Sequence, residues 1–215
     1  VMSNPLIVLE AINAAGKTTQ FNLLLKRLKK TGYKPYSLHF HQRDKATGQV
    51  IENKFLHDKT SNFSRREQAL LYIQDFFAAV EDIYVMLKKK GKHIVVLDRF
   101  YTSTMAYQTI GLSGERRKKT LNWIRDLCLK GEPALPKPSL VIFLDTPVLI
   151  SLQHLDKTKK DYFENKQRLI DLRKSYLKLA SEQEWVVIDG VDEGGEQRSI
   201  KDIHEEIWQY VQKKI

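Results

Sequence analysis

Residues Leu6-Ile7-Val8-Leu9-Glu10-Ala11-Ile12-Asn13-Ala14-Ala15-Gly16-Lys17-Thr18-Thr19-Gln20 decide the fold. A short apolar run gives way to a loop of small residues and then, from Thr18 to Lys30, to amphipathic helical spacing. The loop nearly matches G-x-x-x-x-G-K-[ST], in the order strand, loop, helix that this pattern needs. The chemistry follows from the backbone. Successive N–H groups at a helix N-terminus wrap an anionic phosphate, a lysine reaches the outer phosphates of a nucleotide, and a hydroxyl ligates Mg²⁺. On this reading Asn13, Ala14, Ala15, Gly16, Lys17, Thr18 and Thr19 cradle ATP, with the Thr18 hydroxyl on the metal. Ala11 stands where the pattern has its first glycine. If φ were positive there, its Cβ would cost about 1–2 kcal/mol. No N-K-x-D motif reads a guanine base, since Asn53-Lys54 is followed by Phe55-Leu56.

Outward from this loop, short unbroken apolar runs recur at Leu6 to Leu9, Ile94 to Leu97, Leu140 to Leu144 and Val186 to Ile188, with a more alternating candidate at Lys34 to Phe40. Runs of that kind suit strands buried on both faces. Helix-length amphipathic stretches lie between them: Thr18 to Lys30, Arg66 to Lys89, Lys119 to Leu129, Gln167 to Ala180 and Ile200 to Lys213. Strand and helix alternate, so the expected fold is α/β: a three-layer sandwich with about five parallel strands between helices, of the P-loop NTPase type. Ligands of such sheets bind at the carboxyl ends of the strands. No period of about 20–50 residues repeats. The one proline cluster, Pro133, Pro136 and Pro138, is too short for a linker, so residues 1–215 are read as a single domain.

The composition agrees. The chain has 215 residues, 42% hydrophobic and 29% charged, which describes a folded domain rather than a disordered one. No apolar stretch approaches the roughly 20 residues of a membrane span. Cys128 is the only cysteine, which excludes an internal disulfide and a cysteine-cluster metal site and suits a reducing compartment. The first apolar run begins at Leu6, leaving no room for a cleavable targeting segment, so the cytoplasm is the expected location. A net charge of +10 calls for an anionic partner. The basic runs Lys26 to Lys30 and Lys88 to Lys90 close helical patterns, where cations complement the helix dipole. They show none of the aromatic interleaving that nucleic-acid binding wants, so the expected partners are small nucleotides, not nucleic acid and not a membrane.

A second motif ends the Ile94 to Leu97 strand: Asp98-Arg99-Phe100-Tyr101-Thr102-Ser103-Thr104-Met105-Ala106-Tyr107-Gln108. An aspartate at a strand tip beside a phosphate loop can hold Mg²⁺ through water, and the adjacent arginine can grip a second phosphate bidentately. At the Lys34 to Phe40 tip, Phe40-His41-Gln42-Arg43 offers another cation, with Gly48 nearby for a tight turn.

With these residues the chain resembles the thymidylate kinase family nearly end to end. Glu10 to Gln20 is similar to the family's E-G-x-D-x-x-G-K-[ST]-T-Q. Asp98 to Tyr107 is similar to D-R-Y-x-x-S-x-x-A-[YF], Pro136-Lys137-Pro138 before Leu140 to P-K-P-D-L, and Phe40 to Ile51 to F-P-E-R-x-x-x-x-G. The resemblance implies a nucleoside monophosphate kinase that moves the γ-phosphoryl of ATP to dTMP with Mg²⁺, and it implies a homodimer. It places Arg43 and Arg99 on the acceptor's monophosphate, Lys17, Thr18 and Asp98 on ATP and Mg²⁺, and Tyr72 on the thymine ring. Ser103, Thr104, Tyr107 and Gln108 would line the base pocket. Where the family has an aspartate facing the sugar hydroxyl, this chain has Asn13. Gln42 replaces a glutamate, and Phe76 replaces an arginine near the thymine carbonyl.

The family also closes an arginine-bearing lid over ATP, which here spans about 154–164 and holds no arginine. His154 and Tyr162 occupy arginine positions, and Ala14 occupies the loop position where other relatives carry one. Lys157, Lys159 and Lys160 could supply the charge, with Lys160 taken as the catalytic cation beside Lys17 and Arg99. Two other functions fit the residues: a nucleotide-binding protein with reduced or lost turnover, and a kinase for another pyrimidine nucleotide or nucleoside. A nucleoside acceptor would want a carboxylate base where Gln42 and Arg43 present an amide and a cation.

Overall fold

The computed structural model describes residues 4–58, 62–154 and 166–215. Its centre is a five-stranded, wholly parallel sheet built from β1 (Leu6–Ala11), β2 (Lys34–His39), β3 (His93–Asp98), β4 (Leu140–Asp145) and β5 (Val186–Asp189), in the order β2-β3-β1-β4-β5. Every residue of β1 and of β4 is buried, as unbroken apolar runs require of strands covered on both faces. β2, the alternating candidate, is an edge strand with no buried residue. The registers Leu9↔Asp98 and Ala11↔Leu144 bring the ends of β1, β3 and β4 to one rim.

Two groups of helices cover the sheet. α1 (Lys17–Lys30) lies against β2 and β3 and packs on α9 (Ile200–Gln212). The second group comprises α3 (Arg65–Phe77), α4 (Val80–Lys88), α5 (Tyr101–Gln108), α6 (Gly114–Leu129) and α8 (Lys166–Glu182). α2 (Ala46–Val50), the π-helical turn Ile51–Leu56 and α7 (Val148–His154) fill connections at the active rim. None of the described helices is long and apolar enough to cross a membrane.

Three departures from the sequence expectation have physical causes. The helix expected over Arg66 to Lys89 is two helices, because at Ala79 (φ −111°, ψ −1°) the backbone leaves helical values and its N–H bonds to Phe76 instead of the residue four back. No glycine or proline marks the change. α5 has no amphipathic period because all but one of its residues are buried, the polar Thr102, Ser103 and Gln108 included. Gly48 is needed for close approach rather than a turn: a Cβ there would stand 1.9 Å from the Gln42 carbonyl oxygen.

Candidate active site

The phosphate loop runs from Ile12 to Gly16 between the last residue of β1 and the first of α1. Ala11 is a β-strand residue opposite Leu144, so no positive φ falls on it, and the strain expected there does not arise. The left-handed residues are instead Ala14 (φ 57°) and Gly16 (φ 84°). α1 starts with no side-chain cap and no acidic residue in its first turn, so its N-terminal N–H groups stay available to an anion. A cleft of about 480 Å³ opens over Ile12 to Thr19 and reaches Arg99.

Beside that cleft the Lys17 ammonium bonds one oxygen of Asp98, and His39 Nδ1 lies 3.0 Å from the other. Phosphate loop and β3 tip therefore share one site, as the sequence expectation required. Burial and the neighbouring charge of Arg99 push the Lys17 ammonium well below its usual range, against the attraction of Glu10. His39 is also lowered, by burial and then by Lys17.

Arg99 is held in a left-handed conformation (φ 67°), and its guanidinium donates to Asn13 Oδ1 at 3.0 Å, Tyr176 OH at 3.0 Å and Ser103 Oγ at 3.3 Å. Beneath it the wholly buried Glu10 accepts from Thr102 Oγ1 (2.6 Å), the Phe100 N–H (3.2 Å), Tyr176 OH (2.9 Å) and Ser103 Oγ. Burial alone would lower Arg99, but Tyr107, Tyr176 and Glu10 outweigh it and hold the guanidinium charged. Burial and then Glu10 push Tyr176 well above its usual value, so it stays a neutral donor. In sequence Tyr176 is one more apolar position on an amphipathic helix. The only hint of its role is that a carboxylate inside an apolar strand, Glu10, must have buried donors. Tyr176→Phe should lower stability by about 1–2 kcal/mol in urea unfolding, since Glu10, Ser103 and Arg99 each lose a partner. An unchanged midpoint would show that hydroxyl to be idle.

A cavity of about 250 Å³ adjoins the loop cleft, and the two share Asn13 and Arg99 as their common wall. All nine residues expected to bind substrate line it: Asn13, Arg43, Tyr72, Phe76, Arg99, Ser103, Thr104, Tyr107 and Gln108. Phe40, His41, Phe55, Leu56 and Gln68 complete the lining and were not foreseen from sequence. Phe76 is buried, edge-on to Phe40 at 4.9 Å and to Phe100 at 5.4 Å, which makes this wall aromatic where the resemblance implied a cation. Tyr72 is edge-on to Phe55 at 6.1 Å. Gln42 turns away: its backbone N–H bonds Asp75 Oδ2 at 2.8 Å and its side chain bonds the Asp75 carbonyl at 2.9 Å.

On the other side of the loop a cavity of about 320 Å³ lies among Gln20, Thr146, His154, Gly190 and Arg198. Thr146 Oγ1 donates to the Ala15 carbonyl at 3.1 Å, and His154 Nδ1 lies 3.2 Å from the Ala14 carbonyl oxygen. Gly190 leaves that space open, since a Cβ would come within 2.7 Å of Thr146 Oγ1. Lys157, Lys159, Lys160 and Tyr162 lie outside the described residues.

Comparison with known proteins completes the picture. The family profile described as thymidylate kinase matches residues 9–207. The chain belongs to the thymidylate kinase family. It is 31% identical over 201 residues to the thymidylate kinase of Fervidobacterium nodosum, covering 92% of this chain and 93% of that one. It is 32% identical over 209 residues to a probable thymidylate kinase of Pyrococcus horikoshii, covering 94% and 92%. The fold matches a thymidylate kinase structure from Candida albicans with a TM-score of 0.77 at 20% identity, over 98% of this chain and 92% of that one. Thymidylate kinase family membership makes this chain a nucleoside monophosphate kinase, with ATP-dependent phosphorylation of dTMP to dTDP as its reaction.

Proposed function

We infer that the loop cleft takes the phosphates of ATP and the aromatic cavity takes dTMP, with Arg99 between them. One observation carries this reading: the two cavities meet at Asn13 and Arg99, and the described lining of the second contains two arginines and no carboxylate. A wall of that kind suits an anionic acceptor. It does not suit a nucleoside, whose hydroxyl would need a carboxylate base.

Each residue then has a physical task. The backbone from Asn13 to Thr19 receives the donor's phosphates. The Lys17 ammonium leaves Asp98 for the outer phosphates, where its charge offsets what develops during transfer. Arg99 spans the gap between donor and acceptor, already oriented by Asn13, Ser103 and Tyr176. Arg43 meets the acceptor's phosphate from the opposite rim. Tyr72, Phe40 and Phe76 enclose the base, with Thr104, Tyr107 and Gln108 as polar lining. The cavity by Gln20, Thr146 and Gly190 suits the donor's base. Phosphoryl transfer needs chiefly alignment and cations around the moving group, and this arrangement supplies both.

Mg²⁺ suits the same rim. Among the described residues no cluster of three or more histidine, cysteine or acidic side chains gathers. The Thr18 hydroxyl and the Asp98 carboxylate are hard oxygen donors, the kind that hold Mg²⁺ together with substrate phosphates and water. When bound, the metal would neutralise charge on the donor's phosphates.

The test is a coupled assay for ADP with Mg·ATP and each pyrimidine monophosphate in turn, thymidine included as the unphosphorylated control. ADP release dependent on dTMP is the expected result. Faster turnover of thymidine, or tight binding of both substrates with no product, would overturn it.

A further inference from the structure

The two arginines of the acceptor cavity sit in opposite settings. The Arg99 guanidinium is tied to three neutral oxygens, whereas the Arg43 side chain is 76% exposed and its Nε lies 3.3 Å from Glu52 Oε2. That same oxygen lies 2.5 Å from His41 Nε2, while His57 Nε2 stands 3.8 Å from Glu52 Oε1. His57 is fixed in turn by its Nδ1, 2.8 Å from the Glu52 carbonyl oxygen. Glu52 lies in the π-helical turn Ile51–Leu56, which also carries Phe55 and Leu56 into the cavity wall. Partial burial would raise its carboxyl, but the His41 hydrogen bond and the Arg43 charge prevail and keep it below the usual range.

Arg43 therefore lines the cavity with an anion already beside it. An exposed ion pair is weak, and a guanidinium binds a phosphate dianion through stronger, charge-assisted bonds, so a phosphate can take the guanidinium from the carboxylate. A carboxylate left alone would resist that exchange. Here the His41 imidazole, within hydrogen-bond distance of the same carboxylate, remains to hold it.

We propose that Glu52 is an exchangeable counter-ion: it positions Arg43 at the cavity mouth and yields it to the acceptor's phosphate, while His41 retains the carboxylate. This rests on the reading above that Arg43 meets that phosphate. Glu52 is a positioning residue, and its removal should act on acceptor binding alone.

The experiment is a double-mutant cycle with Glu52→Gln, Arg43→Met and the pair, reading kcat and KM for dTMP and calorimetric Kd for dTMP and thymidine. Glu52→Gln, isosteric and unable to compete as an anion, should tighten dTMP by about two- to fivefold, the scale of an exposed ion pair. Thymidine binding should stay as it was and kcat should hold within about twofold. Arg43→Met should weaken dTMP by about tenfold, and Glu52→Gln should then have no further effect. If Glu52→Gln weakens dTMP, shifts thymidine equally, or acts the same without Arg43, the counter-ion role fails while the phosphate role of Arg43 stands. If Arg43→Met leaves dTMP binding unchanged, the phosphate role itself fails, and the proposal with it.

Discussion

Lys17→Met abolishes dTMP-dependent ADP release, lowering kcat by about 10³-fold or more. The ammonium sits in the first turn of α1, paired with Asp98, with only 10% of the side chain exposed. No other described cation stands on the floor of the loop cleft, where Arg99 forms the far wall. Methionine keeps the apolar stem and removes only the charge, so packing against the loop persists. Losing the ammonium also leaves the Asp98 carboxylate with His39 as its described partner. A loss of about 3 kcal/mol in stability is therefore expected, and unfolding should be measured on the same preparation. A folded variant turning over within tenfold of the unaltered protein would remove Lys17 from the chemistry.

The second large effect is at Arg99. Arg99→Lys should lower kcat/KM for dTMP by about 10²-fold, and Arg99→Ala by about 10³-fold, because on the proposed reading Arg99 spans donor and acceptor phosphates and lysine lacks the planar fork. The structure sharpens this expectation. Three oxygens on three elements, Asn13, Ser103 and Tyr176, preset the guanidinium plane. A lysine ammonium in the same space is a point charge whose direction those three oxygens do not fix as a plane. Steady-state kinetics with dTMP varied at saturating ATP measure the effect. Equal rates for Arg99→Lys and the unaltered protein would mean that the planar geometry is unused.

Much of the site was legible because its chemistry is local in the chain. The loop from Glu10 to Gln20 and the tip Asp98-Arg99 are contiguous, and a strand that ends beside a helix N-terminus needs no distant information. The nine residues expected around the acceptor do line one cavity. The resemblance brought Tyr72 and Phe76 into that set, since on their own both look like core aromatics of an amphipathic helix. Tyr176 stayed hidden for that same reason, although its hydroxyl binds both Arg99 and Glu10. Gln42 misled in the other direction: adjacent to Arg43, it turns its amide into α3 because the buried Asp75 carboxylate requires donors.

The amino-acid order by itself determined a parallel sheet with helices on its faces and a phosphate loop after its first strand. Unbroken apolar runs and helical periods are properties of neighbours along the chain, and they write themselves in its spacing. Tertiary structure alone decided where the left-handed strain falls, at Ala14 and Arg99 rather than Ala11. It also decided that α5 is a helix buried on nearly every side, and that Glu52 stands beside Arg43. Those outcomes depend on which polar groups burial brings face to face. That pairing has no period along the chain, because the partners meet only when the elements carrying them pack.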